Sequence, residues 1–463
     1  MNELTNVTFD EIEVGRSETV SRRISQTEVE ALALVSGDID SFHLEKSTDP
    51  TGAGGAFAKA VGAEALVTGV LCRRLPGPGT TVLNQSLEFS GSIHVGDELT
   101  ATVTAVEKNK EDNIVVFDCR VSKGDEPIVT GTATVMAPVE RISYSRVATP
   151  EMILRRNDGF AQLLKKCEAL PSTICAVVHP CDRSSLLGPL EAHKHGLIDP
   201  VLVGPEAKIR SVAEAEGVDL SPFRIESTEH SHAAAARAVE LARAGEVESI
   251  MKGSLHTDEL LGAVVSSSKG LRTARRMSHV FVLDVPAYPR TLMITDAAIN
   301  IYPDLMAKAD IVQNAVELAH DLGIERPKVA ILSAVETINP KIPSTVEAAT
   351  LCKMADRGQI KGGVLDGPLA FDNAINLEAA KTKGIVSDVA GLADILIAPD
   401  LEAGNMIAKQ LQYLAGADSA GIVLGTRVPI VLTSRADTVR TRLASVAVMS
   451  IVANAHRTGT GGV

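Results

Sequence analysis

The chain has 463 residues, enough for roughly two to four cores rather than one. Its 45% apolar and 22% charged residues suit globular domains, while 3% aromatics and a net charge of −13 argue against nucleic acid as a partner, since stacking surfaces are scarce and a phosphate backbone is repelled. No apolar run approaches the roughly 20 residues of a membrane span, Met1–Gly15 carries Glu3, Asp10, Glu11 and Glu13 where a signal peptide is apolar, and the cysteines lack any Cys-x-x-Cys pair, so a cytoplasmic protein without a structural metal is expected.

In chain order, helices are expected at Gln26–Val35 and Gly55–Cys72, the second apolar with small residues along it. Ser86–Phe89, Leu99–Val106, Ile114–Val121 and Ile128–Met136 alternate apolar and polar residues, with turns at Gly96-Asp97, Asn109–Asn113 and Lys123–Asp125. A curled antiparallel sheet wrapped around a helix accommodates that order. The rhythm changes after Pro138, so a first domain over 1–140 and a second over 150–463 are expected, joined across Arg141–Pro150. From the helical stretch Glu151–Glu168 onward, apolar runs alternate with helices. The runs include Thr173–Val178, Pro200–Val203, Ser249–Met251, Val280–Asp284, Thr291–Thr295, Val329–Ser333, Gly363–Asp366, Ile395–Ala398 and Val428–Thr433; the helices include Leu186–His195, Ala207–Glu216, His232–Ala244, Ile311–Leu322 and Thr345–Arg357. That alternation predicts a parallel sheet with crossover helices.

Ligands of open parallel sheets sit beyond the carboxyl ends of strands, which directs attention to polar residues just after apolar runs. Four such clusters occur: Met251–Ser254, Thr295–Asn300, Asp366–Asp372 and Leu432–Asp437. Singly, each reads as a solvated charge or a helix cap. Together, with glycines that permit close backbone approach, they point to an anionic site. The pairs His193/His195 and His230/His232 lack a further ligand at metal spacing, so no metal site is expected.

From about Met251 to the end, Leu271-Arg272-Thr273, Ser278-His279-Val280, Thr295–Asp304, Leu332–Glu336, Asp366–Asn373 and Ser434–Asp437 occur in an order that resembles the phosphate acetyl- and butyryltransferase family, the butyryl branch being the closer. The resemblance implies an α/β isocitrate/isopropylmalate-dehydrogenase-like domain of two subdomains around a cleft, the second subdomain spanning about 277–425. It also implies the reaction of an acyl-CoA with phosphate to give acyl phosphate and CoA, by direct attack in a ternary complex. On that reading Ser434 hydrogen-bonds the CoA sulfur or acyl oxygen and Arg435 holds the phosphate with its bidentate fork. A carboxylate takes the thiol proton. In the acetyl branch that Asp lies seven residues beyond the Ser, where this chain has Thr441; the nearest carboxylate here is Asp437, which also reads as a cap of the last helix. Lys252 and Arg272 are candidates for phosphate or CoA contacts, Asp296 and Asn300 for substrate binding, and Arg275 and Arg276 for a solvated basic face. CoA thioester and phosphate are substrates, and no cofactor is implied.

In the first domain, Gly37-Asp38-Ile39-Asp40-Ser41-Phe42-His43, Leu75–Thr80, Gln85–Phe89 and Val95–Ala101 resemble the MaoC-like, R-specific enoyl-CoA hydratases. The resemblance implies an α+β hot-dog fold in which Asp38 and His43 orient and deprotonate a water for addition to an unsaturated thioester. The family's Asn-Pro is replaced by Asp40-Ser41, and its Ala-His-Gly by Ala60-Val61-Gly62, which keeps Gly62 as a backbone donor near the thioester carbonyl. The alternative reading of the whole chain is an acyl-CoA-binding regulatory module without turnover. Both families imply a homo-oligomer, a dimer or larger.

Overall fold

The computed structural model describes residues 3–36, 56–91, 93–145, 159–432 and 437–459. The chain divides into two units, Met1–Arg155 and Arg156–Val463. No helix among the described residues is long and apolar enough to cross a membrane.

In the first unit the strands are β1 (Glu3–Thr5), β2 (Ser17–Arg23), β3 (Thr81–Phe89), β4 (Glu98–Asn109), β5 (Ile114–Lys123), β6 (Glu126–Met136) and β7 (Ser143–Ser145). Leu99, Ala101, Val103 and Ala105 of β4 and Val115, Phe117, Cys119 and Val121 of β5 are all buried, the period-two pattern of strands with one face on a core. That face meets a helix, Ala56–Arg73, through Ala63, Val67, Val70 and Leu71, whose spacing keeps them on one helical stripe. The antiparallel order is β2-β4-β5-β6-β3, so the antiparallel sheet expected from the alternation is observed with a helix packed on it. The preceding helix, Gln26–Ser36, starts at a reciprocal cap: Glu28 accepts from the amide and hydroxyl of Ser25, and Ser25 Oγ accepts from the amide of Glu28. β2 escaped the pattern because its sequence, Ser-Glu-Thr-Val-Ser-Arg-Arg, lies at a sheet edge and buries no side chain.

In the second unit the strands are β8 (Thr173–Val178), β9 (Ile198–Gly204), β10 (Arg224–Ser227), β11 (Ser249–Lys252), β12 (Ser278–Asp284), β13 (Leu292–Thr295), β14 (Lys328–Leu332), β15 (Val364–Leu369), β16 (Ile395–Ile397), β17 (Asp418–Leu424) and β18 (Ile430–Val431). They form one eleven-stranded sheet in the order β10-β9-β8-β11-β18-β17-β12-β13-β16-β14-β15. The last helix, Val439–Thr458, is buried without interruption from Arg442 to Asn454 and runs through the largest apolar cluster. A helix apolar on all sides belongs inside a core rather than on its surface.

The expectation of a parallel sheet is corrected to a mixed one. β12 pairs antiparallel with both β17 and β13, and β17 antiparallel with β18, whereas β8, β9, β10, β11 and β18 are mutually parallel. β13, β16, β14 and β15 are parallel to one another and therefore run opposite to β8, β11 and β18. The polar turns that follow β13 and β15 leave the sheet at the edge opposite to those after β8, β11 and β18. An apolar run carries no record of its direction, so the alternation of runs and helices could not reveal this reversal.

Candidate active site

β8, β11 and β18 lie side by side and parallel, so the chain leaves all three at one edge. Met251 is level with Val431, which brings Lys252 beside Leu432. Lys252 is only 9% exposed. Beyond it the backbone folds back on β8: the amide of Gly253 donates to the Val178 carbonyl at 2.9 Å and the amide of Ser254 to the His179 carbonyl at 2.9 Å. A Cβ on Gly253 would stand 2.4 Å from the Val178 oxygen and 2.9 Å from that of His179, both backbone atoms that cannot yield cheaply. Gly253→Ala is accordingly expected to destabilise the second unit by about 2–3 kcal/mol, read as a lowered thermal midpoint of its unfolding transition; an unchanged midpoint would show that the loop accommodates the methyl.

Across from this loop, His179 adopts a left-handed backbone with φ of 56°. Its amide donates to Val203 O at 2.7 Å, and its ring Nδ1 lies 2.7 Å from Ser254 O. Three residues on, Asp182 caps the helix Arg183–Lys194, accepting from the Ser185 amide at 2.8 Å and the Ser184 hydroxyl at 2.9 Å. Burial raises the Asp182 carboxyl, but the Ser254 hydroxyl, the Ser185 amide and the Ser184 and Ser185 hydroxyls outweigh it and bring it down to about 2. The β8 and β11 loops are thus tied through Ser254 at both its carbonyl and its hydroxyl.

Ser434 and Arg435 lie outside the described residues. Asp437 is half-buried, and its carbonyl accepts from Nε of Arg442 at 3.3 Å. Arg442, 5% exposed, also donates to Ser184 O at 3.4 Å, joining the last helix to the Asp182 cap. The reading of Asp437 as the cap of that helix is corrected: the cap is Thr438, whose Oγ1 accepts from the Thr441 amide at 3.1 Å. Thr441 Oγ1 lies 3.1 Å from Thr438 Oγ1, so the position that carries the acetyl-branch carboxylate is here part of the cap.

The remaining candidates gather at the opposite edge. Arg272 bridges to Thr426, and with Asn300 and Arg276 it lines a cavity of about 550 Å³. Asn300 accepts from Nε of Arg276 at 2.8 Å and donates to Met277 O at 2.8 Å and to Asp296 Oδ2 at 2.5 Å. Asp296 is buried, its carboxylate also accepting the amides of Ala298, Ile299 and Asn300. Asp296 therefore shapes the loop from within, while Arg272 and Asn300 face the cavity. Close to Asp296, His279 is buried with its Nδ1 unpartnered among the described residues, and burial, offset by Asp296 and aided by Lys409, lowers its pKa to about 4, so the ring is neutral. Structure thus splits the single anionic site expected from the four clusters into two groups, Lys252 with Asp437 and Arg272 with Asn300. Arg276, expected on a solvated face, instead holds Asn300. His179 and Asp182 escaped the sequence reading, although applying the strand-end rule to Thr173–Val178 would have found both; Ser254 belonged to the Met251–Ser254 cluster.

In the first unit, Asp38 and His43 lie outside the described residues. Gly62 lies six residues into the helix Ala56–Arg73, a depth at which an N–H is bonded within the helical ladder, so the expectation that it donates to a thioester carbonyl is corrected. What the missing side chain allows is close packing: a Cβ on Gly62 would touch Leu32 at 3.4 Å. Among the described residues no group of three His, Cys, Asp or Glu is placed to hold a metal.

Residues 226–450 match the family model for phosphate acetyl/butaryl transferase. A phosphate acetyltransferase of Rhizobium meliloti is 62% identical over 298 residues, covering 64% of this chain and 94% of that protein. A phosphate butyryltransferase of Clostridium acetobutylicum is 45% identical over 295 residues, covering 64% of this chain and 98% of its own length. Among solved structures, a branched-chain phosphotransacylase from Enterococcus faecalis aligns with 60% of this chain and 99% of its own at 30% identity and a TM-score of 0.53.

Proposed function

The chain belongs to the phosphate acetyl/butyryltransferase family, and we propose that its transfer of a short acyl group between CoA and phosphate takes place where the chain leaves β8, β11 and β18. The enzyme converts a short-chain acyl-CoA and phosphate into acyl phosphate and CoA. What carries the assignment to this edge is the parallel register that sets buried Lys252 beside Leu432, two residues before Ser434 in the sequence.

Arg435 and Lys252 neutralise the phosphate, and Ser434 hydrogen-bonds the thioester sulfur or carbonyl oxygen. In the direction of acyl phosphate formation a phosphate oxygen attacks the carbonyl carbon, the carbon–sulfur bond breaks, and the CoA sulfur leaves and gains a proton. Arg272 and Asn300, at the other edge, serve an outlying part of the CoA molecule, and the unit works as two subdomains of the isocitrate/isopropylmalate-dehydrogenase kind, the second over about 277–425. The first unit, a helix on a five-stranded antiparallel sheet, is read as a hot-dog hydratase domain that adds water to an enoyl-CoA with Asp38 and His43. Six cysteines, none of them in a disulfide, favour a reducing cytoplasm, and a homo-oligomer is expected. The test is CoA release from acetyl-, propionyl- and butyryl-CoA with and without phosphate, alongside hydration of crotonyl-CoA. Release that requires phosphate supports the transferase; CoA binding without turnover would instead favour a CoA-sensing module.

A further inference from the structure

The thiol of CoA needs a base before it can attack an acyl phosphate, since an ordinary thiol is mostly protonated at neutral pH. At the acetyl-branch position for that base the chain has Thr441, whose hydroxyl and amide are engaged with Thr438 in capping the last helix. A different group at the same edge is prepared for the task. Ser254 O, a carbonyl, can only accept, so the 2.7 Å contact requires that Nδ1 of His179 carry the proton. In the neutral ring that leaves Nε2 as the unprotonated nitrogen with its lone pair available. Nε2 has no partner among the described residues.

The ring is also held in place at a cost to the backbone. A histidine with φ of 56° is an uncommon conformation for a side-chain-bearing residue, retained here by the amide bond to Val203 O and by the reciprocal bond from the Ser254 amide to the His179 carbonyl. A residue serving only to connect a strand to a helix has no need of this; a glycine or asparagine would meet the same turn with less strain. Among the described residues, the charged groups at this edge include Lys252 after β11, Asp182 and Arg183 at the start of Arg183–Lys194, and Asp437 and Arg442 at the last helix. Asp182 is bound by three serines and the Ser185 amide, which makes it a poor competitor for a thiol proton.

We propose that His179 is the catalytic base, with Nδ1–H anchored on Ser254 O and Nε2 taking the proton of the CoA thiol. This rests on the placement of transfer at the β8, β11 and β18 edge. Sulfur attacks the acyl carbon as its proton passes to Nε2; the carbon–sulfur bond forms, the bond from carbon to the phosphate oxygen breaks, and Nε2–H returns the proton to the departing phosphate. Thiol and acyl phosphate become thioester and hydrogen phosphate with no further reactant. In the reverse direction the same nitrogen relays the proton from phosphate to the leaving thiolate.

The test is His179→Asn in the full chain. Asparagine tolerates the left-handed backbone, and its Nδ2–H can replace the Nδ1–H bond to Ser254 O, so only the Nε2 function is removed. With acetyl phosphate and CoA as substrates, kcat is expected to fall about 10²- to 10⁴-fold, the usual contribution of a positioned base, with KM for both substrates within about threefold and the thermal midpoint unchanged. Added imidazole should restore part of the rate in the variant and not in the wild type. If His179→Asn retains kcat within about threefold, or loses it together with substrate affinity and without rescue by imidazole, His179 is not the base. A wild-type chain without any phosphate-dependent turnover would overturn the transferase reading itself, an outcome separate from either of these.

Discussion

Arg435→Ala is expected to lower phosphate-dependent CoA release about 10²- to 10³-fold while leaving the unfolding midpoint of the chain unchanged. A guanidinium offers phosphate two parallel N–H bonds and a full positive charge, and deletion of one well-placed donor to developing charge typically costs about 3–4 kcal/mol of transition-state stabilisation. The long-range field of a chain with net charge −13 repels a dianion, so local cations carry the attraction. Lys252, a buried cation at this edge, is a compact point charge. It supports binding without replacing the fork, so Arg435→Lys should recover only part of the loss. Crotonyl-CoA hydration should be untouched, because Asp38 and His43 belong to the other unit. A rate within about tenfold of wild type would remove Arg435 from the phosphate site.

Asp38→Asn should act in reverse. The change keeps the shape of the side chain and removes its charge, so a carboxylate that activates water loses about 10² to 10⁴ in rate. Steady-state hydration of crotonyl-CoA measures it, with phosphate-dependent CoA release in the same preparation as the control. Loss of hydration alone supports two separate acyl-CoA sites on one chain. Loss of both activities with the fold intact would mean that the assignment of separate sites is wrong.

How far the sequence could be read depended on the kind of information each feature carries. Side-chain periodicity is local, so the antiparallel sheet was visible from residues such as Leu99, Ala101, Val103 and Ala105, which alternate and are all buried. Strand direction is a property of pairing between distant segments. The antiparallel entry of β12 between β17 and β13 therefore had no local sign, and it separated Arg272 and Asn300 from Lys252 and Asp437. Asp296 shows a second limit: a carboxylate in a motif reads as a ligand, yet its oxygens are taken up by three amides and Asn300. Thr438 rather than Asp437 caps the last helix because a cap is decided by which oxygen reaches the exposed amides, a matter of one residue. His179 was missed for the opposite reason. Its chemistry is ordinary for its type, and only the carbonyl facing Nδ1 reveals which nitrogen is available.

Direct transfer of an acyl group between CoA and phosphate fixes the stoichiometry of the reaction. Butyryl-CoA supplied with isotopically labelled phosphate should yield one labelled acyl phosphate for each CoA released, and acyl phosphate added with CoA should return butyryl-CoA and phosphate in the same ratio. CoA released without phosphate, or released with phosphate but without acyl phosphate, would mean that the chain hydrolyses the thioester rather than transferring its acyl group to phosphate.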